Sequence, residues 1–401
     1  MSFDVARVRA LYPALSDGSA WLDAAAGTQM PQPVIDAIVA AYTAGIGNAH
    51  GAFAASARSD AIVAEARRAV ADLVGGDPDG VVFGPNMTTL TYRFARTLAR
   101  EWRPGDEIVV SRLDHDANVR PWVQAAEAAG AVVRWAEVEV PSGELPAAQY
   151  DELITERTRL VAVTAASNVL GTMPDVPRIA RKAHDAGALV YVDGVHATPH
   201  TPIDVTALGA DFYATSAYKW CGPHVGAVIA APALLERLRP DKLASAPDRV
   251  PDRFETGTLP FADLAGVTAA VDHLAGLDPQ ATGPRRRRVL ASMAAVEAYE
   301  QAELAYLCEH LAALPHVHLI GSPARRTATV YFTVDGHSPR RVAEHLAARK
   351  INVWDGHCYA WEVTGAFGIR DAGSAVRAGL VHYNDRSDVD RLLAALEELT
   401  P

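Results

Sequence analysis

Tyr191-Val192-Asp193-Gly194-Val195-His196 runs an apolar, β-branched stretch straight into a carboxylate, with a histidine three residues later. Further on, Ala214-Thr215-Ser216-Ala217-Tyr218-Lys219-Trp220-Cys221-Gly222-Pro223 sets a lysine behind a serine and a tyrosine, just ahead of a Gly-Pro turn. The first stretch reads as a buried strand that ends in an acid. In open α/β sheets the groups that meet a ligand gather at the carboxyl ends of strands, so Asp193 stands where a site is expected. The second stretch puts an ammonium in apolar company, and burying that charge is costly unless it is paired or neutral.

Working outward, short β-branched runs at 81–83, 107–110, 131–135, 160–164 and 226–230 flank the 189–192 run, each bounded by Gly, Pro or Asp. Such runs read as buried strands. Segments 61–73, 89–99, 119–128 and 176–186 have helical spacing between them. Alternation of this kind predicts an α/β fold with a mostly parallel sheet and helices on both faces. After about Pro260 the pattern changes. Residues 262–276 and 285–313 read as Ala-rich helices, 327–334 as a strand, 337–349 as a helix, 378–382 as a strand and 387–399 as a closing helix. A smaller α+β domain is expected there. The division read from the sequence is 1–20 as a segment packing near the small domain, 21–264 as the large domain and 265–401 as the small one.

With 401 residues, two domains are the natural expectation. The 37 Lys and Arg against 48 Asp and Glu leave a net charge of −11, which disfavours nucleic acid and anionic membranes as partners. The basic run Arg285 to Arg288 reads as a solvated face or a domain junction. Three cysteines, Cys221, Cys308 and Cys358, lie far apart with no CxxC pair. That spacing leaves no disulfide framework and no thiolate zinc site, and it suits a reducing cytoplasm. No apolar run approaches a membrane span, and the first residues lack a signal core. P-loop, dinucleotide and HExxH motifs are all absent.

A lysine that condenses with an aldehyde cofactor is no longer an ammonium. An aspartate upstream of such a lysine is the pairing found in pyridoxal 5′-phosphate (PLP) enzymes, where it keeps the pyridine nitrogen protonated and the ring an electron sink. Other strand ends add polar groups. Pro85-Asn86-Met87-Thr88-Thr89-Leu90 opens a helix and suits an anion, or is ordinary N-capping. Ser111-Arg112-Leu113-Asp114-His115-Asp116-Ala117-Asn118 offers a histidine to stack on a flat ring, or an exposed loop histidine. Ser167-Asn168-Val169-Leu170-Gly171-Thr172 offers an amide to a phenolic oxygen, or a turn residue.

Taken together the motifs resemble the class V aminotransferase family of fold-type I PLP enzymes, and most closely its cysteine desulfurase branch. The resemblance starts at Trp21-Leu22-Asp23-Ala24-Ala25-Ala26-Gly27-Thr28-Gln29-Met30-Pro31. It continues through Asp114-His115-Asp116-Ala117-Asn118-Val119-Arg120-Pro121-Trp122, the elements at 167–172, 193–196 and 216–219, and Phe254-Glu255-Thr256-Gly257-Thr258. It closes with Val376-Arg377-Ala378-Gly379-Leu380-Val381-His382-Tyr383-Asn384. It implies that Lys219 carries PLP and moves the substrate's α-proton, and that Asp193 pairs with the pyridine nitrogen. His115 would stack on the ring and act in acid–base steps, a catalytic residue with Lys219 and Cys358. Asn168 and His196, which replaces the family's usual Gln, would sit near the phenolic oxygen. Thr88, Thr89 and Ser216 would hold the phosphate, with Thr258 reaching the phosphate of a partner subunit, and Arg377 would clamp the substrate carboxylate.

Three stretches depart from the family pattern. Tyr218 replaces the His before the lysine, where its phenol can still donate to the phosphate. Asn48-Ala49-His50-Gly51-Ala52-Phe53 lacks an Arg of the family's H-R-G-x-H stretch. The cysteine loop, Trp354-Asp355-Gly356-His357-Cys358-Tyr359, is one residue shorter between Gly and Cys. The expected function is desulfuration of L-cysteine to L-alanine with Cys358 as the sulfur carrier. The alternative is a PLP-dependent C–S or C–C lyase, epimerase or aminotransferase that needs no cysteine. The expected partners are a second copy of the chain, sharing active sites, and a sulfur-acceptor protein.

Overall fold

A computed structural model describes residues 3–399. Residues 1–2 and 400–401, the ends of the expected first and last segments, lie outside it. The strands are β1 (Ala20–Trp21), β2 (Val81–Gly84), β3 (Glu107–Ser111), β4 (Val132–Ala136), β5 (Thr158–Thr164), β6 (Leu189–Asp193), β7 (Phe212–Ser216), β8 (Gly226–Ala230), β9 (Val317–Leu319), β10 (Thr329–Val334), β11 (Ile351–Asn352), β12 (Trp354–Gly356) and β13 (Ala375–Gly379).

Strands β2 to β8 form one sheet in the order β2-β8-β7-β6-β5-β3-β4. Only β8 opposes its neighbours, so the sheet is mostly parallel, as expected. Successive side chains on a strand point to opposite faces. Val190 and Val192 therefore pack with Val70, Ile179 and Val267 on one face, while Tyr191 packs with Phe94, Trp122 and Phe212 on the other. Burial of both faces explains why these strands read as continuous apolar runs.

The second sheet is antiparallel, in the order β12-β13-β10-β9, and β1 pairs with β11 in parallel beside it. Its core joins Val330, Phe332 and Val376 to Leu346, Leu392 and Leu396, and takes in Ala20 and Leu22 from early in the chain. The helix Phe261–Ala275 packs on the helices Gln32–Ala44 and Ala54–Val74. The helix Arg285–Ala312 spans both cores: Val289, Met293 and Val296 belong to the large one, Leu304, Leu307 and Leu311 to the small one. At its start Arg285 pairs with Glu65, Asp72 and Asp272, and Arg286 with Asp204, so these two arginines of the basic run tie helices together.

The strand expected at 378–382 lies instead at Ala375–Gly379. Leu380, Val381 and His382 leave the sheet yet stay buried, so their apolar character does not mark the exit. Among the described residues no helix is long and apolar enough to cross a membrane.

Candidate active site

Strands β2, β3, β5, β6 and β7 end on the same edge of the large sheet, and the polar groups collect there. After β2 the helix Met87–Leu98 begins, capped by Asn86 Oδ1, which accepts from Thr89 N at 2.9 Å. Met87 N donates to Ser216 Oγ at 3.0 Å, which ties the helix start to the end of β7. A Cβ on Gly226 would fall 2.3 Å from the Asn86 carbonyl carbon, so the approach needs a glycine. Thr88 and Thr89 stand exposed in the first turn, where free amides and the helix dipole favour an anion.

At the end of β6, Asp193 Oδ1 accepts from Val195 N at 2.9 Å. The chain can turn here because Gly194 lies over Tyr213: a Cβ would fall 1.9 Å from Tyr213 Cζ. Burial pushes the Asp193 carboxyl up to about 6, with Val195 N and Lys219 pulling the other way. A buried carboxyl with a raised pKa is one in want of a cationic partner.

Lys219 ends the tight turn Ala217–Lys219 after β7. Its Nζ donates to Ala25 O at 2.7 Å and Ala26 O at 2.8 Å. Burial, helped by Arg377, brings the amine down to about 7, although Asp193, Cys358 and Asp23 oppose the shift. The sign matters for reactivity. Below pH 7 the group is an ammonium and cannot attack an aldehyde; above it the free amine dominates. Uptake of PLP by the cofactor-free chain is therefore expected to speed up through pH 7 and level off by about pH 8. Stopped-flow absorbance checks this, and a rate still climbing at pH 10 would contradict the assigned environment.

His115 accepts from Ala117 N through Nδ1 at 3.0 Å, and its ring lies 5.4 Å from that of Tyr359. Burial, with Lys219, Arg377 and His357 nearby, lowers it to about 3. It is therefore neutral, with its proton on Nε2. Beneath it Asp114 bonds Ser111 Oγ and accepts from Asn118 Nδ2 at 2.7 Å. Burial raises Asp114 to about 8. Arg377, in the middle of β13, donates through Nη1 to Asn168 O at 3.0 Å. Asn168 Nδ2 in turn donates to Cys358 O at 2.8 Å, while its Oδ1 is buried without a partner.

His196 is drawn toward β10: its Nε2 lies 3.1 Å from both Thr327 Oγ1 and Thr329 Oγ1, and its ring meets His200 edge-on. Tyr218 stacks on His224 at 4.7 Å, with Lys219 Nζ 5.1 Å from its ring. Thr258 is exposed. The neighbouring Glu255 is anchored, accepting from Phe83 N at 2.8 Å and from Arg67 at 2.8 and 2.9 Å. Truncating Arg67 would leave that carboxylate buried and unpaired. Arg67→Ala is expected to cost roughly 3–5 kcal/mol, seen as a lowered denaturation midpoint. A loss under about 1 kcal/mol would contradict it.

Cys358 and Tyr359 sit at φ +48° and +59°, in the left-handed region. The loop is pinned to the large domain. Besides the Asn168 bond, Asp116 N donates to Tyr359 O at 2.8 Å. Just beyond, Glu362 bridges Arg112 at 2.7 Å and Arg120 at 2.8 Å. Cys358 Sγ lies 3.5 Å from Gly356 O. Burial raises the thiol, and Arg377 and Lys219 only partly counter it.

Sequence reasoning did not single out Asp23, Asp114 or Glu362. Asp23 has a buried, unpartnered Oδ1, is raised to about 6 by burial, and faces Arg377 and Lys219. Asp23 and Asp114 each lie inside a quoted motif; for Asp23 an acid within an otherwise apolar run was the available signal, whereas Asp114 stands in a polar stretch that gives none. Glu362 left none, since its partners are distant in sequence.

An α/β sheet with these groups on one edge defines a cofactor-dependent enzyme of the fold-type I class. The family model described as Aminotransferase class-V matches residues 20–392, and the chain belongs to that family. It is 39% identical to an uncharacterised protein of Mycobacterium tuberculosis (strain CDC 1551 / Oshkosh), covering 100% of both chains. It is 33% identical to a cysteine desulfurase of Dickeya dadantii (strain 3937), covering 99% of this chain and 97% of that one. The crystal structure of the cysteine desulfurase CsdA from Escherichia coli superposes with a TM-score of 0.86 at 30% identity, covering 99% of this chain and 98% of the other. PLP is the cofactor of this family, and the donor set fits it. Asp193 wants a cation, Lys219 offers a free amine, the start of the helix Met87–Leu98 suits a phosphate, and Asn168 Oδ1 has an unfilled bond.

Proposed function

We propose that this chain is a cysteine desulfurase-like PLP enzyme that converts L-cysteine to L-alanine and takes the sulfur onto Cys358. The observation that carries the reading is the placement of the Cys358 thiol within electrostatic reach of both Lys219 and Arg377. Lys219 would bind the cofactor, Asp193 its pyridine nitrogen, and Thr88, Thr89, Ser216 and Tyr218 its phosphate. His115 would cover the ring, with Asn168 and His196 on the phenolic-oxygen side. When bound, PLP supplies the sink for the electron pair left on the substrate.

The chain's own residues do the rest. The Arg377 fork, steadied by Asn168 O, binds the substrate carboxylate. The Lys219 amine takes and returns the proton at the substrate Cα. Cys358 Sγ, as thiolate, attacks the substrate sulfur: an S–S bond forms, the C–S bond breaks, and protonation at the substrate carbon completes alanine. A thiol acceptor then removes the sulfur.

The working unit is a homodimer in the cytoplasm. Exposed Val39, Tyr42 and Phe53 support a subunit interface, and exposed Thr258 suits a contact to the phosphate of the partner subunit. A sulfur-acceptor protein completes the set of partners.

One observation favours a second reading, a PLP-dependent lyase, epimerase or aminotransferase that does not use the cysteine: burial holds the Cys358 thiol above its ordinary value. Product analysis of the PLP-loaded protein with L-cysteine decides. Alanine with persulfide or sulfide supports desulfuration. Pyruvate with ammonia shows β-elimination, and formation of neither set of products overturns cysteine as the substrate.

A further inference from the structure

A second cluster of reactive side chains lies outside the candidate active site. Tyr12 Oη sits 2.7 Å from His273 Nε2, 2.8 Å from His382 Nε2 and 3.2 Å from Cys221 Sγ. Cys221 Sγ and His382 Nε2 are 3.7 Å apart, and the thiol and two imidazole donors all lie within 4.8 Å of one another. All four side chains are buried. They come from four places in the chain: the N-terminal segment, the turn after Lys219, the helix Phe261–Ala275, and the residues just after β13. His382 Nδ1 has no partner, so nothing on that side fixes which ring nitrogen holds the proton, and Nε2 is free to present its lone pair.

We propose that Tyr12, Cys221, His273 and His382 form a binding site for one zinc-class divalent cation. One sulfur and two imidazole nitrogens are donors that zinc takes in tetrahedral geometry, and the Tyr12 phenol oxygen stands where a fourth donor is needed. Zinc–ligand bonds of about 2.0–2.3 Å put tetrahedral donor atoms about 3.3–3.8 Å apart. The Cys221–His382 distance already has that size, Tyr12 would move outward by about half an ångström, and the remaining separations, none above 4.8 Å, would close onto the ion. Charge balances as well. The dication replaces the thiol and phenol protons, and the resulting thiolate and phenolate cancel its charge, which a buried site requires.

The site amends the expectation read from cysteine spacing. Spacing reveals local CxxC pairs and is blind to single ligands that meet only in the fold. Occupancy would pin the N-terminal segment to the large core, through a ligand two residues from Lys219.

The test uses the PLP-loaded chain carrying Cys358→Ala, so that the loop thiol does not compete. One equivalent of cobalt(II) is added as the spectroscopic probe. The expected result is the visible d–d absorption of tetrahedral cobalt with a thiolate charge-transfer band, both displaced by zinc, and a raised melting temperature with zinc. Cys221→Ser should remove the charge-transfer band, and His273→Gln should collapse the tetrahedral spectrum. The second variant decides if the first does not fold. Absence of tetrahedral bands at one cobalt per chain, persistence of the charge-transfer band in folded Cys221→Ser, or persistence of the tetrahedral bands in folded His273→Gln overturns the site. Neither readout depends on turnover.

Discussion

Cys358→Ala is expected to cut alanine formation from L-cysteine by about 10³-fold or more, a barrier increase of at least about 4 kcal/mol. The thiolate is the only group proposed to accept the substrate sulfur, and an alanine methyl cannot replace it. The loop should survive the change. Its anchors are the backbone carbonyls of Cys358 and Tyr359 and the Glu362 bridge to Arg112 and Arg120, none of which uses the sulfur. The variant should therefore keep its cofactor, and its stability should stay within about 1 kcal/mol of the parent. Rates are read as alanine per chain under single-turnover conditions, which removes acceptor supply from the comparison. Alanine production within a few fold of the parent would sink the desulfurase reading and leave the cysteine-independent one standing.

Lys219→Ala should have the larger effect. In the proposed roles Lys219 is both the amine that captures the cofactor and the base that moves the α-proton, so turnover is expected to fall by about 10⁴-fold or more. Cofactor retained after dialysis should fall too, because Asp193 and the phosphate contacts would then hold it without a covalent bond. Lys219→Arg sharpens the test. It keeps a positive charge near Asp193 and Asp23 but cannot condense with an aldehyde, so it should be as inactive as the alanine variant. Activity of either variant above about 1% of the parent would remove Lys219 from its assigned role.

The large sheet was legible because its strands are buried on both faces, and such strands announce themselves as unbroken apolar runs. β7 did not, although it lies inside the sheet between β8 and β6. Its Phe-Tyr-Ala-Thr-Ser sequence ends in small and hydroxyl residues, and only the lysine motif behind it hinted at a strand end. The helix Gln32–Ala44 was missed as well: its apolar residues leave little contrast between faces, and Val34 alone is fully buried. Most of the expected site groups could be placed because they lie at strand ends: Asp193 and Ser216 close their strands, and Thr88, His115, Asn168, Lys219 and Cys358 follow one within a few residues, whereas Arg377 lies inside β13. What could not be read were the long-range contacts. No periodicity connects Glu362 with Arg112 and Arg120, or His196 with Thr327 and Thr329, and the meeting of Tyr12 with Cys221, His273 and His382 has no local signature at all.

The small core contains Ala20 and Leu22, and β1 completes its edge by pairing with β11. This body is thus assembled from two pieces, one made well before the other during synthesis. A fragment beginning at the long helix would lack that strand and bare apolar surface in its place. On the ribosome, residues 20–22 must wait for nearly the entire chain before their partners exist, whereas the seven-stranded sheet is complete once Ala230 has emerged. The order of translation therefore favours the large sheet as the early structure and makes closure of the small body the last event. Changes in the first two dozen residues should accordingly register as late folding defects, and truncation from the front should harm the C-terminal body before it harms the sheet that follows it in sequence.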